Sequence, residues 1–320
     1  MPRYIRNTAI LAKPETTAGT DAVPTGAADA VLVSNVTITP LESTNVDRGL
    51  TRPYFGGSEQ LVAAYYSKVS FDVEVAGSGT AATAPAWGDL LLGCAQSEAL
   101  LATPNRVEYT PASTGLKTLT LYVYDDGVLH KLIGAMGSVK LSAKVGQIPK
   151  FMFEFWGTYA AVSAAAAPAL TLTAWKLPPV MNKASTVDVT LGATYATGAL
   201  TGGTVFPSTG LEMDWGNALQ FVQLLSSERV DITDRSVTGS VEFDLTAAQE
   251  VTAIGDVIAA TTQSLAITIG TAAGNKIIVH APLAQRINPK KSELNGSRLI
   301  GFDLRLIPSA GNDETRIVTQ

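Results

Sequence analysis

The chain is short of the side chains from which most active sites are built. Its 320 residues contain one cysteine, Cys94, and two histidines, His130 and His280. A single cysteine excludes an intrachain disulfide. In the apolar run around Leu90 and Leu91 it reads as a small buried thiol rather than a nucleophile, because no histidine stands near it in sequence. Neither residue type recurs at a metal-ligand spacing, no Gly-x-Ser-x-Gly elbow is present, and no cofactor is implied. Charge is also scarce, at 16% of residues against about a quarter in ordinary soluble domains. The net charge of −5 excludes a basic nucleic-acid footprint. No hydrophobic run is long enough to imply a membrane span: the most apolar window, Tyr159–Trp175, is alanine-rich and interrupted by Pro168. The opening MPRYIRNTAILAK holds too short an apolar stretch for a secretory leader. The expectation is a protein made in a reducing cytoplasm, with part of its surface covered by neighbours, since a free monomer usually carries more charge.

What the chain has in quantity is short apolar alternation punctuated by glycine, which indicates an all-β protein with minor helix. In Val69–Val75 the residues Val69, Phe71, Val73 and Val75 fall on one face, and Ser70, Asp72 and Glu74 on the other. Gly239–Leu245 repeats this, with Val241, Phe243 and Leu245 against Ser240, Glu242 and Asp244. A short amphipathic helix with a Gly-Asp pair follows each, at Gly88-Asp89 and Gly255-Asp256. Hairpins follow with turns at Asp126-Gly127 and Gly274-Asn275, then the strands Phe153-Glu154-Phe155 and Phe302-Asp303-Leu304. The same order twice argues for a duplicated unit, divided at about residues 1–180 and 181–320. Earlier strands are expected at Ala30–Thr39 and Leu211–Trp215, with further ones through the junction at Leu170–Trp175 and Thr186–Leu191. The first 29 residues lack periodicity and read as an arm that needs a neighbour to order it.

Several features have a bland reading beside a functional one. The paired acids Asp72 and Glu74 fit a glycosidase dyad, but a solvated outer strand face explains one copy equally well. His130 and His280 occupy corresponding places and read as structural. Gly134–Lys140 lacks the Gly-Lys-[Ser/Thr] of a phosphate loop, and Asp125-Asp126-Gly127 reads as a turn. The basic residues Arg286, Lys290, Lys291 and Arg298 read as a solvated loop. The segment Leu41–Tyr66, whose counterpart is roughly Ala218–Thr238, carries too many large apolar groups to be disordered. All four tryptophans, Trp87, Trp156, Trp175 and Trp215, read as core.

The stretch ETTAGTDAVPTGAADAVLVSNVTITPLESTNVDRGLTRPYFGG (Glu15–Gly57), with the strand, helix and hairpin order after it, resembles the major tail tube proteins of long-tailed, non-contractile bacteriophages. The resemblance covers about residues 10–160, and the internal repeat carries it onward. It implies two tandem β-sandwich domains, each with a flanking helix, whose inner strands join an intersubunit β-barrel. Three such chains would make a pseudo-hexameric ring, and rings would stack into a tube that conducts the genome to the host. Implied partners are further copies of the chain, the tail terminator, the tape measure and the distal tail proteins. Double-stranded DNA would pass without specific binding, no membrane would be involved, and the protein would reside in the virion tail. On this expectation Asp72, Glu74, Glu154, Glu242, Asp244 and Asp303 line the lumen. Arg48, Arg52, Tyr54, Phe55, Tyr65, Arg229 and Arg235 contact the next ring. The alternatives are another virion β-protein (a terminator, hub or capsid decoration protein) or a carbohydrate-binding module.

Overall fold

The computed structural model describes residues 2–320, which are almost entirely β. The first half holds a 3-10 turn (Ile5–Asn7), β1 (Thr8–Pro14), β2 (Ala30–Val31), β3 (Ser34–Asp47), β4 (Gln60–Glu74), α1 (Gly88–Leu92), β5 (Gln96–Ala102), β6 (Asn105–Pro111), β7 (Leu119–Asp125), β8 (Val128–Lys144), β9 (Lys150–Tyr159) and β10 (Ser163–Ala164). The second holds β11 (Thr186–Leu191), β12 (Thr194–Ala196), β13 (Ala199–Thr201), β14 (Thr204–Val205), β15 (Ser208–Asp214), β16 (Asn217–Leu224), β17 (Ser227–Arg235), β18 (Thr238–Phe243), α2 (Ala247–Ile258), β19 (Thr262–Ile269), β20 (Ile277–Leu294), β21 (Ser297–Ile307) and β22 (Arg316–Thr319).

Antiparallel pairing gives the same strand order twice. In the first half it runs β3-β4-β9-β8-β7-β1. In the second it runs β15-β18-β21-β20-β19-β11. The helix falls after β4 in one and after β18 in the other. The halves are joined edge to edge, with Lys140–Lys144 of β8 opposite Gly210–Asp214 of β15. A second link pairs β6 with β22. Gly210 makes the first possible: it has φ +119°, and a Cβ there would lie 2.0 Å from the Ala143 carbonyl oxygen.

Alternation decides what lies beneath the sheet. Val69, Phe71, Val73, Phe151, Phe153 and Phe155 are buried. With Leu211, Met213, Trp215, Phe243 and Phe302 of the second half they form one continuous core. The short α1 is wedged into it. Trp87 packs edge-on against Phe151 at 5.1 Å and donates its indole N–H to the Ala76 carbonyl at 2.7 Å. Gly93, just past the helix, sits where a Cβ would meet Leu119 of β7 at 2.6 Å and Phe155 of β9 at 3.0 Å.

Some local expectations are overturned. Residues 8–14 are no free arm; they form β1, paired with β7 along its whole length, and Ile10 and Leu11 are fully buried. A strand buried on both faces shows no alternation, so periodicity misses it. Glu15, just beyond, is buried and accepts hydrogen bonds from the Thr118 and Thr120 hydroxyls and from two backbone N–H groups. Leu170–Trp175 is not a strand; Trp175 instead donates to the Ala30 carbonyl at 2.9 Å. Arg286, Lys290, Lys291 and Arg298 lie on the paired strands β20 and β21 rather than in a loop. Trp156 is half-exposed on the outer face of β9, not in the core.

Candidate functional site

The outer face of the eight strands β3-β4-β9-β8-β15-β18-β21-β20 is largely polar, interrupted by Met152 and Trp156. Register places Asp72 opposite Met152 and Glu74 opposite Lys150, while Ser70 faces Glu154. Across the join Lys140 faces Asp214 and Ser142 faces Glu212. Ser240 then faces Asp303, and Glu242 faces Gly301. Five of the six candidate acids therefore share one face. Asp244 lies just past the end of β18, its N–H donated to the Pro207 carbonyl at 2.9 Å as the chain turns toward α2.

This face also carries lysines that reasoning from the acids alone missed, and each of them lies within 4 Å of a carboxylate. Lys140 is 2.9 Å from Asp214, Lys144 2.7 Å from Glu212, Lys150 3.9 Å from Asp72, Lys290 3.3 Å from Asp303 and Lys68 3.4 Å from Glu42. The hydrogen bond and charge of Asp214 raise the Lys140 pKa. Bonds from Asn288 and Lys290 lower that of Asp303. Glu154 and Glu242 take neutral donors instead, the Trp156 indole at 2.8 Å and the Thr209 hydroxyl at 3.2 Å. Three of the five, Lys140, Lys144 and Lys150, come from β8 and β9, far in sequence from their partners, so only the pairing register reveals them.

Two hairpins leave the same end of this sheet. The tip of β3 and β4 carries Tyr54 and a fully exposed Phe55 (107%), and the tip of β16 and β17 carries Leu224 and a fully exposed Leu225 (112%). The hairpins brace one another: Phe221 stacks on Tyr66 at 4.8 Å, and the Gln223 amide donates to the Ala63 carbonyl at 2.9 Å. Tyr65 meets Tyr159 edge-on at 5.3 Å. Arg48 and Arg52 both reach Glu59, at 3.4 and 3.5 Å, and Arg229 reaches Asp231 at 2.8 Å. Arg235 is different: it is drawn inside, paired with Glu314 and donating to the Ala112 carbonyl at 3.0 Å.

At the opposite end, beside the turn between β8 and β9, lies an apolar groove of about 680 Å³. Val145, Met181, Val187, Val205, Pro207 and Ile267 line it. Met181 is pinned there by backbone bonds with Gly146 and Gln147 at 2.8 and 2.9 Å.

A family model described as phage tail tube protein matches residues 5–311. The chain belongs to the phage tail tube protein family. It is thus a structural component of the virion tail, in a family whose members assemble with themselves and with other tail proteins. A search of curated proteins finds no match. No helix among the described residues is long and apolar enough to cross a membrane, and no cluster of three or more possible metal ligands occurs among them.

Proposed function

We propose that this tail tube protein forms rings of three chains, each chain supplying two tube units, and that the rings stack into the conduit through which DNA is ejected. The recurrence of one six-strand order in both halves carries this reading, since three chains then supply six equivalent units. We take residues 1–180 and 181–320 as the units, because the strand-free run between β10 and β11 contains this boundary. The polar face turns inward. Its lysines lie beside carboxylates, and the exposed Arg305 stands on it singly without an ion pair among the described residues, so phosphates find no row of free cations and DNA slides without adhering. The reading assigns no catalytic step to the chain.

Stacking is head to tail. The apolar tips around Phe55 and Leu225 leave one end and the apolar groove opens at the other, an arrangement that propagates as an open filament. Terminator, tape measure and distal tail proteins meet the tube at its ends and inside it. Electron microscopy of the purified protein tests the reading. Hollow tubes with three-fold, nearly six-fold rings are expected from the native chain, and rings that fail to stack from the Phe55→Asp, Leu225→Asp variant. Single particles of one-chain mass at high protein concentration would overturn it.

A further inference from the structure

β8 is longer than the strand beside it. β7 accompanies it only as far as Ala135, and the vacated edge is taken by β15 at Lys140–Lys144. β20 repeats the arrangement. β19 accompanies it to Gln285 and β21 covers the other edge as far as Leu294. Among the described residues no strand takes the vacated edge at Lys290–Leu294. At the far side of the sheet β3 pairs only with β4, although its counterpart β15 is paired on both edges. One chain therefore ends in an edge without its β15 and in a strand without its β8. Such rows of unpaired N–H and C=O groups are templates for another strand.

Resting on the ring reading above, we propose that β20 of one copy pairs antiparallel with β3 of the next, in the register that β8 and β15 already display. Internal correspondence sets that register. Thr37 faces Ser70 as Glu212 faces Ser240, so Thr37 stands for Glu212. Leu141 faces Phe151 as Lys291 faces Ile300, so Ser292 stands for Ser142. Ser142 faces Glu212 within the chain. Ser292 of one copy therefore faces Thr37 of the next, Lys290 faces Thr39, and Leu294 faces Asn35. The chemistry of the two seams differs. Within the chain the seam is crossed by Lys140–Asp214 and Lys144–Glu212. Between copies Thr39 and Thr37 stand in place of both carboxylates, so no ion pair crosses at these positions. The seam between copies is the weaker, which keeps subunits separable until they are placed.

The test uses the full chain with paired cysteines. Cys94 is fully buried, so introduced thiols are the accessible ones, and directly opposed strand residues lie within disulfide reach. Oxidised assemblies of Thr37→Cys, Ser292→Cys should give covalent species ending at three chains, several-fold more than the shifted pair Thr37→Cys, Lys290→Cys. Rings seen by microscopy with the shifted pair favoured, or with neither pair linked, overturn the seam and leave the ring standing. One-chain particles throughout overturn the ring and the seam with it. A second variant, Thr39→Asp, restores a carboxylate opposite Lys290. It should lower the protein concentration needed for assembly several-fold, less so at high salt, and an unchanged or raised concentration counts against the register.

Discussion

The two helices occupy matching places in the repeated order and opposite kinds of surroundings. α1 is five residues long, has no side-chain cap, and buries Gly88, Leu90 and Leu91. A helix of that length has no stability of its own; it persists because Trp87 is clasped between Tyr109 of β6 and Phe151. α2 has twelve residues and a capping box in which the Thr246 hydroxyl and the Gln249 side chain satisfy each other's backbone N–H groups. It buries only Ala253 and leaves Val251 and Ile258 exposed. It is tethered to β20 by Asp256–Arg286 at 2.6 Å and by Glu250–Lys291. The first half encloses its helix in the shared core, while the second leaves a helix flank open beside the vacated β20 edge. The contrast teaches where a neighbour has room.

The sharpest way to break that contrast is to truncate one residue on each side of it. Trp87→Ala should cost about 3–5 kcal/mol in urea unfolding, as large buried aromatics do. Val251→Ala should stay within about 0.5 kcal/mol for the single chain, as exposed substitutions do. Equal losses would mean that α2 is as enclosed as α1 and that its flank is not open.

Much of this was legible in the sequence, for reasons that also explain what was not. Strands with one wet face write their period plainly, so β4 and β18 were found from Val69–Val75 and Gly239–Leu245, and β11 at Thr186–Leu191. β1 was not, because TAILAKP is buried on both sides and carries no alternation. The acids of the candidate face were legible because they share strands. Lys140, Lys144 and Lys150 were not, because their placement beside those acids depends on long-range register. The charged residues of β20 read as a loop for a local reason: Asn288-Pro289 interrupts the ladder with Asn288 at φ +50°. Arg235 looked like a surface arginine until Glu314, far along the chain, was seen to take it inside.

The corresponding histidines sharpen the same contrast by titration. His280, near Tyr195 and Arg316, has its pKa lowered to about 4 by burial first and then by the Arg316 charge, opposed by a bond with the Ala193 backbone. His130 is shifted the same way by burial, with Asp125 opposing. An unfolded histidine titrates near 6.5. Between pH 6.5 and about 4 the unfolded chain therefore binds the proton that folded His280 refuses, so stability falls as pH falls through that window. The loss approaches ~3 kcal/mol at 1.36 kcal/mol per unit. His280→Gln should flatten unfolding free energy across the window more than His130→Gln. An equal effect of the two would place both histidines in the same environment.

The smallest effect probes the seam within the chain. Lys144 and Glu212 are about half exposed, and exposed pairs contribute about 0.2–1 kcal/mol. A double-mutant cycle with Lys144→Met and Glu212→Gln should return a coupling in that range, and it should fade as salt shortens the screening length. A coupling well above ~1 kcal/mol would make the ion pairs the main fastening of β8 to β15. The structure places the fastening elsewhere, in the five-residue backbone ladder and in Leu141, Ala143, Leu211 and Met213, all buried beneath it. A weak coupling is also what the proposed seam between copies requires. β20 and β3 offer the same backbone ladder without the ion pairs, and they can join only if the ladder and what lies under it suffice.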